Sequence, residues 1–330
     1  MQRTSLLIDK TLVLTEEEIR RFINPDKARA AVAAGFEKLA CGGVTQPPVV
    51  DLCIPEEDGE TDIKGAHIHG SRYSCIKIAS GFYRNPERGL PVGTGLLIVL
   101  SAQTGAPVAV LLDNGYLTNL RTAAAGAVAA DLLARARLEC AVIVGAGVQG
   151  RFQLEALLRV REPEQVLICD VDPDRAMVYA REQSDRHGIR VAPSSSLESA
   201  IRTADLIVTT TPSRRPYIRA DWLRPGVHLT AVGADMPEKT ELHPGVLASA
   251  TKVVVDSVAQ CRQRGELHAA LLSGVVDESV VYAEIGEIVN GSKVGRMSED
   301  EITVTDLTGV GVQDAAVATV VVEAALTSDR

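Results

Sequence analysis

The residues Gly145-Ala146-Gly147-Val148-Gln149-Gly150 have the types and spacing to hold a pyrophosphate. In such a loop the first glycine permits a tight turn, the second lets the backbone come close to the phosphates, and the third lets the next helix pack tightly on the strand before it. Backbone N–H groups at that helix start then face the anion. Glycine spacing alone is a weak signal, but here the apolar run Cys140–Val144 precedes the loop and a helical stretch to about Arg161 follows it. Asp170 ends the next apolar run, twenty residues after Gly150. A carboxylate there accepts from both ribose hydroxyls and repels a 2′-phosphate, which favours NAD(H) over NADP(H). The competing role is a helix N-cap within Asp170-Val171-Asp172-Pro173-Asp174, for which Asp172 is the better candidate.

Other candidates are less specific. Thr209-Thr210-Thr211-Pro212-Ser213 closes a strand at the carboxyl edge of a sheet, where Thr210 and Thr211 could line the nicotinamide side or be ordinary strand residues. Lys77 sits inside the apolar run Cys75–Ala79, and Arg121 stands at the start of the Ala-rich stretch Thr122–Leu133. Both cations are expected to be partly buried and so to need an anion, either a bound carboxylate or a structural Asp or Glu; an arginine can grip a carboxylate with two bonds. Asp235, just past a strand end, could reach a substrate amine or simply be a solvated loop residue. His67, His69, His243 and His268 have no metal-ligand spacing, and Cys41, Cys53, Cys75, Cys140, Cys169 and Cys261 form no CxxC, so no metal site and no disulfide framework is expected.

The elements that must position these residues divide the chain. From Glu139 onward, strands at Cys140–Val144, Val166–Asp170, Leu206–Thr210, His228–Val232 and Lys252–Asp256 alternate with helices such as Asp174–His187. This predicts a Rossmann-type, doubly wound parallel sheet. The first ~120 residues read instead as a helix over Asp26–Ala40 and antiparallel strands near Val49–Ile54, Cys75–Ile78 and Leu96–Leu100, broken at Pro47-Pro48, Asn85-Pro86 and Gly105-Ala106-Pro107. The expected architecture is α/β: a dinucleotide-binding domain over 121–313 inserted into a smaller α+β domain of 1–120, completed by a C-terminal helix over 314–330. The 330 residues are 46% hydrophobic but only 3% aromatic, so the core is aliphatic. A net charge of −9, without a long Lys/Arg block, argues against nucleic acid and for a small charged metabolite. Neither Met1–Thr4 with Leu6-Leu7-Ile8-Asp9 nor the apolar stretch Ala315–Val322 has the length of an export or membrane segment, so a cytoplasmic protein is expected.

Taken together, Leu120-Arg121-Thr122-Ala123-Ala124, the 145–150 loop, Val232–Leu242 and Asp306-Leu307-Thr308-Gly309-Val310-Gly311-Val312-Gln313-Asp314 make the chain resemble the ornithine cyclodeaminase/mu-crystallin family. Residues 111–130 and Arg264-Gly265-Glu266-Leu267-His268 look most like its ectoine-utilisation branch. The resemblance implies a homodimer whose N-terminal domain binds substrate and dimerises. It implies that Lys77 and Arg121 bind the substrate carboxylate and that Asp235 is the acid/base or amine-binding group, with Lys77 counted beside it as catalytic. It also implies that Gly145, Gly147, Val148, Gln149, Gly150, Asp170, Thr210, Thr211, Val232 and Val312 contact NAD, with Gly309–Val312 near the nicotinamide. One departure is visible: many members carry Arg after the Pro-Pro pair as a further carboxylate ligand, where this chain reads Gln46-Pro47-Pro48-Val49. That points away from a plain ornithine pocket.

The reaction expected from this set is NADH-dependent reduction of a C=N bond beside a carboxylate. The alternatives carried by the resemblance are a cyclodeaminase-type lyase with catalytic NAD that releases ammonia, and a mu-crystallin-like binding protein without catalysis.

Overall fold

The computed structural model describes residues 6–8, as backbone, and 11–328; Met1–Thr4 and Asp9, read above against an export signal, lie outside them. Two units result: the described residues up to Arg121 together with those from Val310 onward, and Thr122–Gly309. Fold class α/β, with a parallel Rossmann-like sheet in the second unit, is what the chain adopts.

In the first unit, β1 (Leu6–Ile8), β2 (Thr11–Thr15), β3 (Val44–Thr45), β4 (Val50–Ile54), β5 (Gly59–Ile68), β6 (Tyr73–Phe82), β7 (Gly93–Ser101) and β8 (Pro107–Leu112) form one sheet in the order β1-β2-β8-β7-β6-β5-β3, with β4 also on β5. Its pairs are antiparallel except β2 with β8. Burial alternates along β6 and β7, the period of a sheet with one covered face. That face receives the C-terminal helix Gly311–Ser328, which also lies on the helix Pro25–Ala40. The close approach depends on Gly311, where a Cβ would fall 2.5 Å from the Gly65 carbonyl oxygen. Pro25–Ala40 begins where Asn24 accepts from the Lys27 N–H and Pro25 takes the first helical position. The register sets Lys64 of β5 opposite Lys77 of β6.

The strands of the second unit are β9 (Cys140–Val144), β10 (Gln165–Cys169), β11 (Val191–Pro193), β12 (Leu206–Thr209), β13 (His228–Ala231), β14 (Lys252–Val255), β15 (Val281–Glu284) and β16 (Thr303–Asp306). They are parallel throughout, in the order β11-β10-β9-β12-β13-β16-β14-β15. Every residue of β9, β12, β13, β14 and β16 is buried, as expected for parallel strands covered on both faces. Val142, Ile207, Leu229, Val253 and Val304 belong to one core with Leu267; full burial of such a side chain is worth about 1.5–3 kcal/mol. Strand order reverses between β9 and β12, and the carboxyl ends flanking that point are where a doubly wound sheet binds ligands. The helix Pro173–His187 starts with Asp172 accepting from the Asp174 and Arg175 N–H groups, so Asp172 rather than Asp170 is its cap.

Three expectations about elements need correction. Arg121 is not at a helix start: the helix runs Tyr116–Leu133, because Asp113 accepts from the Leu117 N–H after a turn with positive φ at Asn114 and Gly115. The C-terminal helix starts at Gly311 instead of Asp314. A central strand, β16, lies between β13 and β14, where no strand was expected. Among the described residues no helix is long and apolar enough to cross a membrane.

Candidate active site

In the second unit the loop after β9 is built as its glycines require. Gly145 has φ +107°, and a Cβ there would lie 2.5 Å from the Thr210 hydroxyl oxygen. Gly150 begins the contact of the helix Val148–Leu157 with the strand, since its Cβ would fall 2.2 Å from the Gly145 carbonyl oxygen. Around Gly147 a Cβ would meet nothing within 4 Å. The middle glycine therefore opens onto space at a helix N-terminus, which fits a group that must approach the backbone closely. The loop is held from behind. Thr210 Oγ1 donates to the Val144 and Gly145 carbonyls at 2.9 and 3.3 Å, the Arg151 guanidinium donates to the Ala146 and Gly147 carbonyls, and Tyr179 OH donates to Gly150 O. Asp170 lies against the same loop, accepting from the Ala146 N–H at 2.7 Å and the Asp172 N–H at 2.9 Å. Val148 is exposed and Gln149 accepts from the Gln153 amide.

Thr211 and Val232 are tied into a buried hub that the sequence reading missed. Glu241, fully buried, accepts from Thr209 Oγ1 (2.7 Å), Thr211 N (2.7 Å), Thr211 Oγ1 (2.8 Å), Tyr217 OH (2.6 Å) and Gly233 N (2.9 Å). Burial pushes its carboxyl above the ordinary range, while the bonds from Tyr217 and Thr209 pull it back. Val232 N donates to Thr209 O. Glu266 in turn accepts from Thr240 Oγ1 and from the Glu241 and Leu242 N–H groups, so a second carboxylate fixes the segment that carries the first. Glu241 lies in the segment Val232–Leu242 and Glu266 in Arg264–His268; nothing local in either segment marks the fivefold acceptor role. Asp235 is about half exposed, with a side-chain exposure of 45%, and takes the Nζ of buried Lys239 at 2.8 Å, while Arg264 Nη1 donates to its carbonyl. It is an ion-paired loop carboxylate, not a merely solvated one.

In the first unit, buried charges gather under the C-terminal helix. Arg121 Nε donates to Asp314 Oδ1 at 3.0 Å and Nη1 to Gln313 Oε1 at 2.8 Å. Lys77 Nζ lies 3.2 Å from Asp62 Oδ2 and 3.8 Å from Asp314 Oδ2. Lys64 Nζ is 3.6 Å from the same Asp62 oxygen. Burial raises the Asp62 carboxyl, but the Lys64 and Lys77 ammoniums pull harder the other way, leaving it well below the usual carboxylate range. So Lys77 and Arg121, singled out separately in the sequence, share Asp314, and each has a structural carboxylate at hand. Asp62 and Lys64 could have been found by their spacing of two on a strand, which puts them on one face. Val312 is fully buried on the side of Gly35, leaving its side chain no ligand surface in this state.

Known proteins with this architecture match along almost the whole chain. The model of the ornithine cyclodeaminase/mu-crystallin family matches residues 9–329. An archaeal alanine dehydrogenase dimer with bound NAD superposes with a TM-score of 0.90 at 41% identity, over 97% of each chain. The Δ1-pyrroline-2-carboxylate reductase of Thermococcus litoralis, in complex with NADH and L-proline, gives a TM-score of 0.92 at 30% identity, over 97% of this chain and 98% of that one. The iminosuccinate reductase of Paracoccus denitrificans with NAD+ gives 0.87 at 31% identity, over 97% of each. The chain belongs to the ornithine cyclodeaminase/mu-crystallin family.

Proposed function

We propose that the chain is an NAD(H)-dependent oxidoreductase that reduces the C=N bond of a small, carboxylate-bearing imine. The observation that carries this reading is the glycine loop, open at Gly147 and flanked by Asp170, in a chain with full-length likeness to enzymes named for reducing a cyclic and an open-chain imine. Lys77 and Arg121 hold the substrate carboxylate, Arg121 in the orientation that Asp314 and Gln313 impose on its guanidinium. Asp235, or a water it holds, gives the nitrogen its proton. When bound, NADH supplies the hydride for the imine carbon, so C=N becomes CH–NH with one hydride and one proton gained. Gly145, Gly147, Gly150, Val148, Gln149 and Asp170 hold the cofactor, with Thr210, Thr211, Val232 and the 309–312 segment toward its nicotinamide. The insertion of residues 121–313 into the remainder of the chain is part of the same reading.

A homodimer belongs to this proposal. On the uncovered face of the first unit's sheet, Val50, Ile63, Ile78 and Leu96 form one row and Ile76, Ile98 and Val110 another. Val50 and Leu52 are each 52% exposed. A second copy of the same face would cover this apolar surface.

The test supplies NADH with pyruvate and ammonia, oxaloacetate and ammonia, Δ1-pyrroline-2-carboxylate and ectoine-derived imino acids. NADH loss matched by amino acid formation supports the reading, and Asp235→Asn then lowers kcat by roughly 10²–10⁴ without changing NADH affinity. Ammonia release from ornithine with no net NADH change would assign a cyclodeaminase instead. Cofactor binding with no turnover of any compound would assign a binding protein.

A further inference from the structure

The loop that follows β13 sets a buried ammonium against a carboxylate that solvent can reach. The Lys239 N–H donates to the Met236 carbonyl at 3.2 Å, a turn that carries Lys239 back to Asp235. Its Nζ then lies 2.8 Å from Asp235 Oδ1, the two side chains being 3% and 45% exposed. The turn is pinned at both ends. Arg264 Nη1 donates to the Asp235 carbonyl at 3.1 Å, and Glu266 accepts from Thr240 Oγ1 and from the Glu241 and Leu242 N–H groups. A solvated loop pair keeps both charges in water, whereas taking the ammonium inside costs its hydration, so stability alone does not explain why Lys239 is buried.

Charge state decides what the pair can do. A carboxylate paired with an ammonium is ionised, and an ionised carboxylate only accepts hydrogen bonds. Asp235 in this state has no proton of its own for the imine nitrogen. The Lys239 ammonium in contact with it has one that can be given up, as an arginine in its place would not. We propose that Lys239 is the source of the proton that Asp235 delivers to the imine nitrogen. One proton passes from Nζ to the Asp235 carboxylate and on to the nitrogen as the carbon takes the hydride of NADH. C=N becomes CH–NH, Nζ is left as a neutral amine, and Asp235 is a carboxylate again. A solvent proton entering at the exposed side of Asp235 then restores the ammonium. This deepens the imine-reductase reading and rests on it.

The experiment follows reduction of Δ1-pyrroline-2-carboxylate at saturating NADH, a cyclic imine that needs no free ammonia. Lys239→Arg keeps the cation but cannot release a proton, so kcat should fall by roughly 10²-fold or more, with NADH affinity, read by fluorescence, unchanged. In Lys239→Ala, added propylammonium should restore kcat, and tetramethylammonium, a cation with no N–H, should not. The ratio of wild-type to Lys239→Ala kcat should widen as pH rises from about 6 to about 8, because a lysine ammonium keeps its proton across that interval and a lone carboxyl has lost it. The charged groups around the pair are Arg264, Glu238 with Arg214 at 3.7 Å, Glu241 and Glu266; they are the same in both proteins and cancel in that ratio. Full kcat in Lys239→Arg, a ratio that does not change with pH, or equal rescue by the two cations overturns the inference and leaves Lys239 a structural partner. If Lys239→Ala does not fold, Lys239→Arg and its own pH ratio decide. Wild-type kcat in Asp235→Asn, or no NADH oxidation with this imine or with those formed from ammonia and pyruvate or oxaloacetate, would sink the underlying reading instead. If only the latter imines are reduced, Lys239→Arg and the pH ratio are read with them.

Discussion

Arg121 reaches Asp314 through Nε and Gln313 through Nη1, so its planar fork is fixed before any ligand arrives. Arg121→Lys keeps the charge and loses the fork. A hydrogen bond to a charged group contributes about 1.5–3 kcal/mol, so KM for the imino acid should rise roughly 10- to 100-fold, read by steady-state kinetics with NADH held saturating. Glu241 acts at the same scale in the second unit. Its carboxylate gathers donors from Thr209, Thr211, Tyr217 and Gly233, and Thr210 between the two threonines braces the loop at Gly145. Glu241→Gln turns an acceptor-only group into one that must present an N–H to a donor, so NADH affinity should fall about tenfold, the cost of one mismatched buried bond. An NADH fluorescence titration on a sample with a normal cooperative melt measures it; unchanged affinity would remove Glu241 from any positioning role. Asp170 could be singled out in the sequence by its distance from the glycine loop, and Lys77, Arg121 and Asp235 by a charge set in or beside an apolar run. The carboxylate and amide partners of Lys77 and Arg121, namely Asp62, Asp314 and Gln313, and the separate Glu241 hub did not stand out, because these contacts come from strand register and packing over long sequence separations.

The phosphate loop makes its prediction at the scale of the element, because two of its glycines do different things. Gly147→Ala adds a methyl that meets no protein atom, so thermal stability should stay within about 0.5 kcal/mol of wild type, yet the methyl enters the space expected for pyrophosphate. Affinity for NADH should fall by at least tenfold. Gly150→Ala places a methyl 2.2 Å from the Gly145 carbonyl oxygen, an overpacking that costs about 1–3 kcal/mol, so here the melting temperature should fall as well. Equal effects of the two substitutions on stability would contradict the assignment. The elements visible in the sequence were the ones with a strong period or cap: the apolar strand Cys140–Val144 and the helix that Asp172 and Pro173 start. Strand β16, Thr303-Val304-Thr305-Asp306, is short and half polar, and only its neighbours β13 and β14 make it central. Strand β5 carries Glu60, Asp62 and Lys64 in ten residues, a charge content that reads as loop until the ion pairs on its inner face are known.

For the whole molecule, pH should matter through carboxylates buried in the second unit. Burial pushes the Asp306 carboxyl up to about 7, and it raises Glu241 and Glu266 as well. The folded chain then keeps protons that the unfolded chain has already released, so stability falls as pH rises from about 4 to about 7. Melting temperature should decline across that interval, and Asp306→Asn, which never ionises, should flatten the decline; a slope unchanged by the substitution would place the titration elsewhere. Assembly is tested separately. Sedimentation should give a dimer, and Ile76→Lys, which sets a charge in the apolar face, should shift it toward monomer while the cooperative melt is kept. The parallel sheet was readable because the βα alternation starts abruptly at Glu139, whereas the apolar face of the first unit's sheet was not, since its rows are assembled from five strands, β4 to β8. The central claim, imine reduction by NADH, is tested most directly by stoichiometry with an imino acid as sole acceptor. One NADH consumed for each amino acid formed is the expected result. Ammonia release from ornithine at constant NADH, with no imine reduced, would contradict it.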